Sequence, residues 1–127
     1  MELSRRTARE VLDDHLTIAN QWTGRPFEDI LEEDIRRNVA ADVVIVMPQG
    51  VYHGHEGVRQ LAHQLADELP QHLGFDYLHV VAEGRVGLLV WTYEDDQVRV
   101  SDGVDSYLIE DGKIVGQTIH YTVTAKG

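Results

Sequence analysis

The chain has 127 residues, 43% hydrophobic and 26% charged, with 11 Gly and 3 Pro, which suits one globular domain and excludes disordered and collagen-like classes. Cysteine is absent, so disulfide scaffolds, thiol nucleophiles and cysteine-ligated zinc are excluded too. With 22 Asp and Glu against 11 Lys and Arg, the formal charge of -11 repels phosphate backbones and argues against nucleic-acid binding.

Residues 4–22 read as an amphipathic helix that Ser4 can cap, with Ala8, Val11, Leu12, His15, Leu16, Ala19 and Trp22 on one face. Thr23-Gly24-Arg25-Pro26 breaks it, and a shorter helix follows from about Pro26, carrying Phe27, Ile30, Leu31 and Ile35. The period then changes. Val43 to Met47 is a β-branched run that Val51-Tyr52-His53 can join as a hairpin across Pro48-Gln49-Gly50. A third helix spans about His55 to Leu69, with Val58, Leu61, Ala62, Leu65, Ala66 and Leu69 on its apolar face, and Pro70 ends it. Four extended segments follow: Phe75 to Glu83, Arg85 to Glu94, Val98 to Ile109 and Lys113 to Thr124. They are separated by Glu83-Gly84, Glu94-Asp95-Asp96 and Glu110-Asp111-Gly112, all turn chemistry. Helices first and strands after is an α+β order. No run approaches the ~20 apolar residues of a membrane span and no apolar signal core opens the chain. The expectation is a single soluble, cytoplasmic domain over residues 1–127, with no membrane partner.

The stretches Asp42-Val-Val-Ile-Val-Met-Pro48, Gly54-His-Glu-Gly-Val58 and Asp105-Ser-Tyr-Leu-Ile-Glu-Asp-Gly-Lys-Ile114, in this order of elements, resemble the NTF2-like (cystatin-like cone) superfamily and its SnoaL-like branch. The resemblance implies three N-terminal helices packed on a strongly curved, mainly antiparallel sheet. Between them it implies a cone-shaped apolar pocket, and on the outer sheet face a homodimer. The fold hosts isomerases, cyclases, epoxide hydrolases and dehydratases as well as binding modules, so function has to be argued from side chains.

Two residues carry the chemistry. By strand alternation Asp105 shares a face with Gly103, Tyr107 and Ile109, while the opposite face, Val98, Val100, Val104 and Leu108, is the more apolar. Alternation alone leaves both orientations open; a dimer through the outer face reconciles an inward Asp105 with an apolar exterior. In a cavity Asp105 has its pKa raised by desolvation and serves as general acid or neutral donor. The resemblance aligns it with the oxyanion-donor Asp of ketosteroid isomerases and the acid/base Asp of SnoaL-like cyclases. His15 lies mid-stripe on the first helix, so it either finds a buried partner or faces a cavity. It aligns with the pocket Tyr of the isomerases, and a His15–Asp105 pair would form an acid/base unit.

The departures from the family are specific. Met47 stands where the isomerases carry their proton-abstracting Asp, residues 85–99 hold no His to match the cyclases, and Arg99, Asp102 and Asp105 fit the epoxide-hydrolase set poorly. Trp22, Met47, Tyr52, Trp91, Tyr107, Gln117, Ile119 and Tyr121 are the expected ligand-binding residues. His53 and His55 have metal-ligand spacing without an evident third ligand, so no metal or cofactor is expected. The carboxylates of 28–34 and 94–96 read as solvated faces and turns. Two function classes follow: a cofactor-free acid–base isomerase or cyclase acting on a small hydrophobic carbonyl compound, or a non-catalytic module binding such a ligand or a partner protein.

Overall fold

A computed structural model describes residues 3–20 and 24–127. Its elements in chain order are α1 (Ala8–Ala19), α2 (Phe27–Asn38), β1 (Val39–Met47), β2 (Gly50–His53), α3 (Gly54–Glu68), β3 (Phe75–Glu83), β4 (Val86–Glu94), β5 (Val98–Glu110), β6 (Lys113–His120) and the short β7 (Thr124–Ala125). The α+β order expected from the sequence is the one observed. The last strand, expected over Lys113 to Thr124, ends at His120, and the starts of α1 and β1 moved as well. Thr7, not Ser4, caps α1: its hydroxyl accepts from the Glu10 N–H at 3.1 Å while the Glu10 carboxylate accepts from the Thr7 N–H at 2.9 Å, a reciprocal capping box. Leu3–Arg5 is a separate 3₁₀ turn. Strand β1 begins at Val39, directly after α2, rather than at Val43.

The sheet runs β2-β1-β6-β5-β4-β3, with β7 beside β5. Every pairing is antiparallel except β1 with β6. The β5–β6 hairpin turns at Asp111 and Gly112, both at positive φ (52° and 72°), the signature of a tight I′-type turn. Gly112 has a second constraint, since a Cβ there would fall 1.8 Å from the Leu3 carbonyl. Arg6 ties this corner together. Its guanidinium donates to the Arg37 carbonyl (2.6 Å), the Gly112 carbonyl (3.0 Å) and Asp14 (3.3 Å).

Irregular registers bend the sheet around the helices without closing it. Between β4 and β5, Trp91 pairs Gly103 while Tyr93 pairs Val100, so β5 carries an extra residue there. That bulge settles which way β5 faces. Gly103, Asp105, Tyr107 and Ile109 are buried and Val104 and Leu108 exposed, but Val100 is fully buried. The expected outer face of Val98, Val100, Val104 and Leu108 is therefore corrected: the strand changes phase at Ser101 and Asp102, both exposed. Helix α1 lies on the concave side, its Val11 and Leu12 wholly buried, with Leu12 reaching into the gap left by Gly87 on β4. Among the described residues no helix is long and apolar enough to cross a membrane.

Gly103 is the tightest point of the inner sheet face: a Cβ there would sit 2.4 Å from the Trp91 indole and 2.7 Å from the Trp91 carbonyl. Gly103→Ala is expected to cost about 1–3 kcal/mol by overpacking, read as a lower denaturant midpoint. An unchanged midpoint would contradict this packing.

Candidate active site

Helices α1, α2 and α3 and the concave sheet face line a cavity of about 240 Å³. Its wall is mostly aliphatic and aromatic: α2 contributes Phe27, Ile30 and Leu31, and α3 contributes Val58, Leu61 and Leu65. The α2–α3 side is clipped outside by Arg59, whose guanidinium meets both oxygens of Glu32 at 2.8 and 2.9 Å. Polar atoms converge from His15 on α1, Asp34 on α2, Tyr77 on β3, Asp105 and Tyr107 on β5 and Gln117 on β6.

His15 donates from Nδ1 to Asp34, 2.8 Å from one carboxylate oxygen and 3.0 Å from the other. The Asn38 amide donates to the same carboxylate at 2.9 Å, so one helical turn of α2 supplies both the anion and its positioner. Burial pulls the His15 pKa down, but the charge and hydrogen bond of Asp34, with the charges of Asp105 and Asp14, outweigh it and hold it above the ordinary histidine value. Among the described residues nothing hydrogen-bonds Nε2, and 19% of the side chain remains accessible. The arrangement is an imidazole with one nitrogen fixed and the other free.

Asp105 sits across the cavity, 8% exposed. Trp91 Nε1 donates to it at 2.9 Å, Gln117 Nε2 at 3.1 Å and the Tyr107 hydroxyl at 3.2 Å. Burial raises its pKa above the usual carboxylate value, against the pull of those hydrogen bonds and of the His15 charge. With three donors on it, Asp105 is a hydrogen-bond acceptor in this arrangement. Tyr107 links the two halves of the site: its ring meets His15 edge-on at 5.8 Å, and burial, then the Asp105 charge and hydrogen bond, hold its hydroxyl firmly protonated.

Of the residues singled out from sequence, His15, Asp105, Trp91, Tyr107, Gln117 and Ile119 line this one cavity. His15 and Asp105 face each other there, but the hydrogen-bonded partner of His15 is Asp34. Met47 is buried on β1 outside the cavity wall. Tyr52 turns its hydroxyl to Gln64 at 2.6 Å, and Tyr121 packs behind Trp91 and donates to Glu68 at 2.6 Å. Trp22 lies outside the described residues. His53 is exposed and His55 spends Nε2 on the Val39 carbonyl at 2.9 Å, so the two do not converge; among the described residues no group of three or more His, Asp or Glu could hold a metal.

Asp34 is the residue that sequence reasoning missed. Its place in the acidic run 28–34 predicts a solvated face, yet it is 8% exposed. The signal was available: Asp34 stands three and four positions after Leu31 and Ile30, on the apolar stripe of α2.

The sequence matches the SnoaL-like domain family over residues 14–117. No curated protein matches it. Similar solved structures include an NTF2-like protein of unknown function from Burkholderia xenovorans LB400 (19% identity, TM-score 0.66, covering 94% of this chain and 86% of that one). A candidate ketosteroid isomerase from Kribbella flavida DSM 17836 is similar as well (15%, TM-score 0.69, 94% and 81%). So is a candidate SnoaL-like polyketide cyclase from Mesorhizobium loti (18%, TM-score 0.61, 91% and 100%). At these identities the likeness establishes the fold alone.

The geometry orders the influences on His15. In an NMR titration Asp34→Asn should lower its pKa most and Asp105→Asn by less; a midpoint unmoved by Asp34→Asn would contradict the pairing. Because the folded His15 pKa is raised, its stabilising contribution is fully present below the unfolded value of about 6.5 and is lost as pH rises through the folded value. Denaturation midpoints of the wild type should fall over that window, and Asp34→Asn should flatten the fall.

Proposed function

This chain belongs to the SnoaL-like domain family, and from that premise and the cavity's chemistry we propose that it is a cofactor-free enzyme moving a proton on a small hydrophobic carbonyl compound. The observation that carries the proposal is the fixed His15–Asp34 pair, with a free Nε2 on a mostly apolar cavity. Neutral His15 takes a proton from the carbon next to the carbonyl. The C–H electron pair moves into the new C=C bond and the carbonyl π pair onto oxygen. The imidazolium that forms is stabilised by Asp34, and its charge offsets the enolate beside it. Returning the proton to another carbon isomerises the substrate. Asp105 is the second reacting-site group, an acceptor for a donor on the bound molecule. His15 and Asp105 on one cavity, the first with a nitrogen free to accept a proton, support this reading over a non-catalytic module.

The family's isomerase base is absent, since Met47 occupies its place, so the proposal moves that role to His15 on α1. A direct test is deuterium uptake at the α-carbon of 1-indanone, followed by NMR in deuterated buffer. The wild type should catalyse exchange, and His15→Gln should slow it by roughly 10²–10⁴-fold while 1-indanone still binds. Exchange at the buffer rate with ligand bound would leave the module as the correct reading.

The same proposal has the chain act as a homodimer through the outer sheet face. Val46, Val81, Val86, Leu88, Val104 and Leu108 are all at least 37% exposed there. Cross-strand register makes them one patch, with Val81 beside Leu88, Val86 beside Leu108, and the touching Ser106 and Thr118 hydroxyls between Leu88 and Val46. An exposed apolar patch of this kind marks an interaction surface. Sedimentation should show a dimer at micromolar concentration and a monomer for Leu88→Glu/Leu108→Glu; a monomeric wild type would contradict the dimer.

A further inference from the structure

A carboxylate taken out of water is normally paired with a cation, because the cost of an isolated buried charge is far larger than any neutral hydrogen bond returns. The two carboxylates on this cavity differ in that respect. Asp34 has His15 at 2.8 Å. Asp105 is as deeply buried, but its three hydrogen-bond partners, Trp91, Tyr107 and Gln117, are all neutral donors. Among the described residues no Lys or Arg lines the cavity, and the one group there able to carry positive charge, His15, is already committed to Asp34. The other titratable side chains facing Asp105 are the hydroxyls of Tyr77 and Tyr107, which supply no cation.

The three donors also leave room for one more. A carboxylate offers about four lone-pair sites; Oδ2 takes Tyr107 and Gln117, whereas Oδ1 takes Trp91 alone. Beyond these donors the wall is mostly aliphatic and aromatic, and its volume of about 240 Å³ leaves room for a bicyclic ring system. Resting on the reading of this cavity as the substrate site, we infer that the molecule it takes is a hydrophobic amine, bound as its ammonium ion with the nitrogen on Asp105. The substrate then carries two polar handles, a carbonyl oxygen toward His15 and a cationic nitrogen toward Asp105. Carboxylic acids and phosphate esters of the same shape are rejected, because they would meet Asp105 and Asp34 with no cation to spare.

Three probes sharing one carbon skeleton test this on the full chain by calorimetry at pH 7: 2-naphthylmethylamine, 2-naphthylmethanol and 2-naphthoate. A charge-assisted hydrogen bond predicts that the amine binds about tenfold or more tighter than the alcohol, with the acid weakest. Asp105→Asn, which keeps the shape and removes the charge, should cancel the amine's advantage over the alcohol. The wild-type ranking decides the matter by itself if that variant does not fold. An acid or alcohol binding as tightly as the amine, or an amine preference that survives Asp105→Asn, overturns the inference while leaving the cavity as a ligand site. Binding of none of the three overturns the cavity reading and the inference together.

Discussion

Asp34 is a charge that the protein has chosen to bury, and the geometry of the site depends on how that charge is satisfied. It comes from the inner side of α2, and the cation that meets it comes from α1. Helices of 12 residues, as both are, have little stability by themselves in water and hold their place through packing. An ion pair between them fixes their register at the wall of the cavity, and it fixes the imidazole as well. With Nδ1 held, the ring can turn neither away from the cavity nor toward another partner, and Nε2 is left as the reactive nitrogen. Asn38 completes the arrangement at some cost: its amide nitrogen reaches Asp34, while its Oδ1 is buried with no partner among the described residues. Breaking a pair of this kind from one side strands the other charge, which is why single substitutions here are expected to act on more than catalysis.

The opposite wall is set by backbone irregularity. The β4–β5 bulge rotates β5 so that the segment from Gly103 to Ile109 presents its odd-numbered residues to the interior. Gly103 has no side chain, and the Trp91 indole fills that space. From there Trp91 Nε1 reaches Asp105, and Tyr121 backs the ring at 5.6 Å. A glycine and a bulge on one pair of strands thus place the acid that faces His15. Tyr107 touches both sides of the cavity, through its ring to His15 and its hydroxyl to Asp105, and so couples two groups that share no hydrogen bond.

The order of elements was legible because the hydrophobic period switches visibly from helical to alternating after Asp42, and because the turns carry Gly and Asp where positive φ is required. His15 was legible as a polar residue on an apolar stripe, whereas alternation left the face of Asp105 open and only the family resemblance pointed it inward. Three things were not. The phase of β5 changes at a bulge, and strict alternation cannot register an added residue, so Val100 was assigned to the wrong face. Asp34 sits in a run of acids, Glu32-Glu33-Asp34, whose charge pattern hides which member points inward. The partner of His15 is 19 residues away on another helix, a relation that depends on how α1 and α2 pack and has no trace in spacing along the chain.

The tautomer of His15 tests the account most directly, since its catalytic reading depends on which nitrogen is bound to Asp34. Long-range ¹H–¹⁵N correlation spectra of the histidine rings, recorded above the His15 pKa, distinguish the two neutral forms. The account predicts a neutral ring protonated at Nδ1, with Nε2 bare and sensitive to ligand, and loss of that preference in Asp34→Asn. A ring protonated at Nε2 in the wild type would contradict it, because the nitrogen left for the cavity would then have no lone pair to accept a proton.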